Sequence, residues 1–66
     1  MQSVDLFEHA KIFTEEMGVV SVSSLQRKFL IGYSQAEKLL KQLIEENICK
    51  SHFVQGQGYI SQNYSK

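Results

Sequence analysis

Apolar residues recur at helical spacing in the first third of the chain. Asp5 and Glu8 match a capping-box pattern, in which side chains accept hydrogen bonds from backbone amides, and they predict that a helix begins at Leu6. Gly18 can adopt the left-handed conformation that commonly ends helices. We therefore predict a first helix over about residues 5–17. Its predicted apolar stripe comprises Leu6, Ala10, Phe13 and Met17.

A strand and a second short helix are predicted next. Residues 19–22 form a valine-rich run that is too short for a helix and indicates a small strand. Ser23 or Ser24 is suited to cap the following helix, which we predict over about residues 23–29. Gly32 is expected to supply the backbone freedom for a tight corner into a third helix.

The third helix has the strongest amphipathic pattern. Ser34 and Glu37 form a second capping-box pattern and predict a helix over about residues 34–47. Its predicted inner stripe comprises Ala36, Leu39, Leu40 and Leu43. Its predicted outer side carries Ser34, Lys38, Lys41 and Glu45, with Gln35 and Gln42 at the edge.

The pattern becomes extended after the third helix. Two short runs on either side of a glycine-containing loop predict a β-hairpin over about residues 48–60, and residues 61–66 are predicted to be a frayed tail. A helix-turn-helix followed by such a hairpin is typical of a winged helix. We therefore predict an α+β winged helix-turn-helix fold, as one domain over residues 1–66.

Charge is balanced overall but unevenly distributed. The formal net charge is zero, yet residues 1–20 carry four acids and one base, whereas the remaining residues carry three acids and six bases. This asymmetry indicates an oriented partner. No apolar run approaches the roughly 20 residues of a membrane span, and no secretory signal is present. A soluble, cytoplasmic protein without a membrane partner is expected.

Enzymatic chemistry is not supported by the residues. Cys49 is the single cysteine, which excludes an internal disulfide, and His9 and His52 are too far apart for a zinc-ligand pattern. Neither a nucleophile with its base nor a phosphate-binding loop can be assembled. We expect no catalytic residue, metal, cofactor or small-molecule substrate.

Binding to double-stranded DNA is the more informative hypothesis. The second helix of a helix-turn-helix can lie in the major groove, where Gln pairs with adenine and Lys donates to guanine. The predicted base-reading residues are Ser34, Gln35, Lys38 and Gln42. The predicted contacts to the DNA backbone are Gln26, Arg27, Lys28, Lys41, Lys50, Gln55 and Gln57.

The string SLQRKF, the turn IGY and the helix that follows resemble the C-terminal gamma domain of FtsK/SpoIIIE DNA translocases. The resemblance implies a winged helix that recognises short oriented DNA signals directing chromosome translocation. It also implies association with the nucleoid and contact with a site-specific recombinase. The ATP-binding motor of such translocases is absent from these 66 residues, so the chain is expected to be either an excised domain or a stand-alone product.

The third helix departs from the family pattern at its start. The family usually continues after IGY with Asn-Arg-Ala-Ala-Arg, whereas residues 34–38 here are Ser-Gln-Ala-Glu-Lys. Losing both arginines weakens the expected preference for a guanine-rich signal. Neutral charge and Glu37 favour an alternative hypothesis, a winged helix that contacts a recombinase or another DNA-processing protein as an adaptor or inhibitor, with little sequence-specific DNA binding.

Overall fold

The computed structural model describes residues 5–62, which form three helices and one three-stranded antiparallel sheet. The helices are α1 (Leu6–Met17), α2 (Val22–Phe29) and α3 (Tyr33–Glu45). The strands are β1 (Val19–Val20), β2 (Cys49–Val54) and β3 (Gly58–Ser61), in the order β1-β3-β2. This order of elements agrees with the predicted α+β winged helix-turn-helix.

The ends of α1 lie where the sequence predicts them. The Asp5 side chain accepts a hydrogen bond from the Phe7 amide (3.3 Å), and the helix begins at Leu6. Gly18 has φ 81°, and its amide donates to the carbonyl oxygen of Thr14 (2.9 Å). The carboxylate cap and the left-handed glycine therefore define the two ends of this helix.

The predicted apolar stripe of α1 is wrong at Met17. The Met17 side chain is 59% exposed, whereas Thr14 is fully buried. The Thr14 hydroxyl donates to the carbonyl oxygen of Ala10 (2.8 Å), so burial leaves no unpaired polar atom on this side chain. Thr14 therefore faces the core, whereas the methionine of the predicted stripe faces solvent. Ile12, which lies off the stripe, is exposed.

The start of α2 differs from the prediction that Ser23 or Ser24 caps it. Ser21 is the N-cap: its hydroxyl oxygen accepts from the Ser24 amide (3.1 Å), and the Ser24 hydroxyl oxygen accepts from the Ser21 amide (2.9 Å). This reciprocal pair satisfies two backbone donors and places Val22 inside the helix. The preceding strand is therefore shorter than predicted and comprises Val19–Val20.

The turn between α2 and α3 also corrects two predictions. Leu30 adopts the left-handed conformation (φ 55°), whereas Gly32 is extended, with φ −75° and ψ 168°. Gly32 therefore does not supply the unusual backbone conformation. It is the N-cap of α3, and no side chain caps this helix. Because the helix already begins at Tyr33, Ser34 lies within the first turn and its predicted capping box with Glu37 does not form.

Helix α3 contributes most to the core, α1, α2, β1 and β2 contribute one buried apolar residue each, and β3 adds the partly buried Tyr59. The predicted inner stripe of α3 is confirmed, since all four of its residues are buried. The buried apolar residues are Ala10, Val20, Leu25, Ala36, Leu39, Leu40, Leu43, Ile48 and Cys49. Phe13 and Phe29 join α1 to α2 through an edge contact, with 5.8 Å between ring centroids. Helix α3 ends at Glu45, two residues before its predicted end, and Asn47 reverses the chain with φ 62°.

The hairpin forms the wing and is joined to the body of the domain through β1. Strand β3 pairs with β1 through Val20↔Tyr59 and with β2 through Phe53↔Tyr59. Ser61 is buried, and its amide donates to the carbonyl oxygen of Gly18 (2.9 Å). The predicted frayed tail is therefore wrong at residue 61, and residues 63–66 lie outside the described part of the chain.

Candidate nucleic-acid interface

The outward face of α3 is fixed by its buried side. At about 100° per residue, the direction opposite the mean of the four buried residues passes between Ser34 and Glu45. Lys38 and Lys41 lie about 30° to either side of this direction. All four side chains are exposed. We call this direction the outward line; it presents one hydroxyl, two ammonium groups and one carboxylate to solvent.

The two glutamines lie on one flank of α3. Gln35 and Gln42 are exposed and stand about 70–90° from the outward line. Together with Lys38 they line a shallow groove of about 220 Å³ beside the start of α1. Its other lining residues are Asp5, Leu6, Phe7 and Leu39. The structure thus brings three of the four predicted base-reading residues together, and Ser34 lies on the outward line instead.

The opposite flank carries Glu37, which the sequence analysis did not include among the site residues. Glu37 is exposed and lies about 70° from the outward line, as far from it as Gln42 but on the other side. The carboxylates of Glu37 and Glu45 balance the two ammonium groups of Lys38 and Lys41. The exposed surface of α3 between residues 34 and 45 therefore has no net charge. The sequence analysis used the charge of Glu37 only as an argument for a protein partner and assigned it no contact with DNA.

The two cations of α2 point in different directions. Arg27 donates from Nη1 to the Ser23 hydroxyl oxygen (3.2 Å), which turns the guanidinium back along the helix. Lys28 places Nζ 5.8 Å from the centroid of the Phe13 ring, across the gap to α1. Gln26, beside them, is half-buried. These predicted backbone contacts therefore do not form one patch on α2.

A second groove, of about 680 Å³, runs between α2, β1 and the tip of the wing. Arg27 and Gln57 both line it, so the structure brings these two predicted backbone contacts together. Exposed apolar side chains of Met17 and Phe53 also line it. Lys41 is exposed on α3, and Lys50 and Gln55 are exposed on the wing; none of the three lines either groove. No periodicity in the sequence indicated that Phe53 would be exposed there.

Metal binding and membrane insertion find no support within residues 5–62. Histidine, cysteine and acidic side chains do not gather there into a group of three or more that could hold a metal ion. Helices in the same range are too short and too polar to cross a membrane.

Comparison with known proteins identifies relatives of this chain. The family model described as the FtsK gamma domain matches residues 2–57. The chain is 40% identical over 43 residues to DNA translocase FtsK of Haemophilus influenzae, covering 65% of this chain and 8% of the relative. It is 39% identical over 44 residues to the same translocase of Pasteurella multocida, covering 67% of this chain and 5% of the relative. It is 46% identical over 44 residues to DNA translocase FtsK of Oceanobacillus iheyensis, covering 67% of this chain and 6% of the relative.

The chain therefore spans less than a tenth of the length of these relatives. No solved structure gives a significant match to it.

Proposed function

The chain belongs to the FtsK gamma domain family, and on this premise we propose that it binds double-stranded DNA with α3 in the major groove. The family match over residues 2–57 is the observation that carries the proposal. The relatives are named as DNA translocases, and the matched segment is a small part of each. A DNA-binding module of this kind acts without catalysis of its own and associates with the nucleoid in the cytoplasm.

The outward face of α3 supplies the base contacts in this proposal. Lys38 donates to guanine O6 or N7, and Ser34 contributes a hydroxyl that can donate or accept. Gln35 and Gln42 read adenine from the flank beside α1. Lysine replaces the arginine of the family pattern at position 38, so the guanine contact has one point charge instead of a planar fork.

Phosphate contacts come from a wider surface. Arg27 and Gln57 contact the duplex backbone from the groove between α2 and the wing. Both side chains are exposed in this groove, which supports the role. The remaining proposed backbone contacts are Gln26, Lys28, Lys41, Lys50 and Gln55. Because Lys28 is drawn toward Phe13, its contribution requires its ammonium group to leave that ring.

A protein partner is a second proposal, favoured by one observation. Met17 and Phe53 are 59% and 54% exposed and line the same groove, where their burial by a partner would be favourable. A site-specific recombinase is the partner that the family resemblance implies. In this alternative the groove contacts the partner protein, and the domain has little sequence-specific binding to DNA.

Selection from randomised duplex DNA at physiological salt tests the DNA proposal. We expect an enriched motif, and we expect Lys38→Ala and Gln35→Ala to change that motif. Arg27→Ala should instead weaken binding about equally on all sequences, because a phosphate contact carries no base information. Failure to enrich any motif, with negligible retention of bulk DNA at low salt, would reject DNA binding and leave the protein-partner proposal.

A further inference from the structure

Glu37 places an unexplained carboxylate on the surface proposed to face DNA. It is exposed on the second turn of α3, next in sequence to Lys38 and one turn before Lys41. It lies about 70° from the outward line, so it is as close to the centre of the face as Gln42. A major groove about 12 Å wide that admits Gln42 on one flank of α3 also admits Glu37 on the other.

A carboxylate in this position needs a hydrogen-bond donor on the DNA. The phosphates repel it, and its loss of hydration is compensated only if it accepts a hydrogen bond. The base edges of the major groove offer two donors, N6 of adenine and N4 of cytosine. Adenine N6 stands beside N7, an acceptor that repels a carboxylate, whereas cytosine N4 has no acceptor next to it on its own base. The carboxylate therefore favours cytosine.

We propose that Glu37 is a specificity-determining residue that accepts a hydrogen bond from N4 of a cytosine in the DNA site. This inference rests on the proposed function. Lys38 and Glu37 lie on opposite sides of the outward line, so they lean toward opposite strands of the duplex. On the floor of the groove, Lys38 then donates to a guanine of one strand while Glu37 accepts from a cytosine of the other, and together they select G·C pairs.

A purely local role for Glu37 has a different signature. Glu37 and Lys41 are four residues apart, with the acid nearer the helix N-terminus, which is the favourable order for a pair on a helix surface. If Glu37 only neutralised Lys41, removing the carboxylate would strengthen binding to every duplex alike. If Glu37 reads cytosine, removing it changes the relative affinity of duplexes that differ at one base pair.

The test compares Glu37→Ala with Glu16→Ala, a control variant that removes an exposed carboxylate from α1, which is assigned no DNA contact. Dissociation constants are measured by fluorescence anisotropy on the selected duplex and on duplexes altered at each C·G pair. We expect the full chain to prefer cytosine at one position by about tenfold. Glu37→Ala should reduce that preference below about twofold, and Glu16→Ala should keep it.

Each outcome of this comparison decides a separate question. An equal gain in affinity on all duplexes for Glu37→Ala, with the cytosine preference intact, overturns the inference and leaves DNA binding standing. A selected motif without any cytosine preference also overturns the inference and leaves DNA binding standing. Absence of DNA binding by the unaltered chain overturns the proposed function and the inference together. Thermal unfolding of both variants confirms that the compared proteins are folded.

Discussion

The backbone of Gly58 lies so close to Val20 that a Cβ atom added to Gly58 would stand 2.5 Å from the Val20 carbonyl oxygen. Val20 and Tyr59 are partners in the ladder between β1 and β3, so this contact lies where the wing joins the body of the domain. Gly58 also has φ 113°, a conformation that side chains rarely adopt. Close approach and backbone conformation both require glycine at this position.

Gly58→Ala is therefore expected to lower the free energy of unfolding by about 3 kcal/mol or more, because strain and overlap with a backbone oxygen add together. Gly56→Ala is the matched control: Gly56 has φ 87° but open space around it. That change should cost about 1–2 kcal/mol from backbone strain alone. Urea unfolding of both variants measures the difference, and equal losses would contradict the role of the Val20 contact.

Ser21→Ala should lower the free energy of unfolding by about 1 kcal/mol, because it leaves the Ser24 amide without its capping acceptor. Ser23 is the control, since it is exposed and its hydroxyl oxygen accepts a hydrogen bond from the equally exposed Arg27 side chain. Ser23→Ala should change the free energy of unfolding by less than about 0.5 kcal/mol. A larger loss at Ser23 than at Ser21 would reject the assigned N-cap.

The apolar spacing of α3 was sufficient to predict its orientation. Leu39 and Leu43 recur at helical spacing with no polar residue competing for the same side, and both are buried. Caps were harder to predict, because three serines near the start of α2 have the same capping chemistry. Which of them acts depends on where the backbone leaves the extended conformation. At Ser21 the backbone is extended, with φ −145° and ψ 164°, and Ser21 directly follows the two β1 residues that pair with β3.

The candidate interface was predictable in composition but not in layout. Exposure of Gln35, Lys38 and Gln42 follows from their positions relative to the buried stripe of α3. Their grouping beside Asp5 depends on how α1 packs against α3, a contact between residues distant in the sequence. Arg27 likewise shares a groove with Gln57 only because α2 and the wing, which are distant in the sequence, lie next to each other in the fold. Tertiary packing therefore decides which predicted contacts act together.

DNA binding should depend modestly on salt. If about four phosphates are neutralised, a plot of log binding constant against log salt concentration should have a slope of about −3 to −4. Arg27→Ala should reduce the magnitude of this slope by about 1, because one phosphate contact is lost. Lys11→Ala is the control, since Lys11 lies on α1 and is assigned no DNA contact. A slope that Arg27→Ala leaves unchanged would remove Arg27 from the phosphate contacts.

Stability at alkaline pH should depend on Cys49. Burial raises the pKa of its thiol from 9.0 to about 11, because the buried site disfavours the thiolate. The folded protein therefore holds this proton more tightly than the unfolded chain does. The resulting stabilisation is fully present below pH 9 and is lost as the pH rises from 9 toward 11.

Cys49→Ala isolates this effect, because the other titrating groups are common to both proteins. The variant should be less stable than the unaltered chain at pH 8, since it leaves a small cavity in the core. That difference in the free energy of unfolding should shrink by about 2 kcal/mol between pH 8 and pH 11, as the unfolded chain ionises its thiol and the folded one resists doing so. Urea unfolding at several pH values measures it. A difference that stays constant with pH would show that the thiol keeps its ordinary pKa in the folded protein.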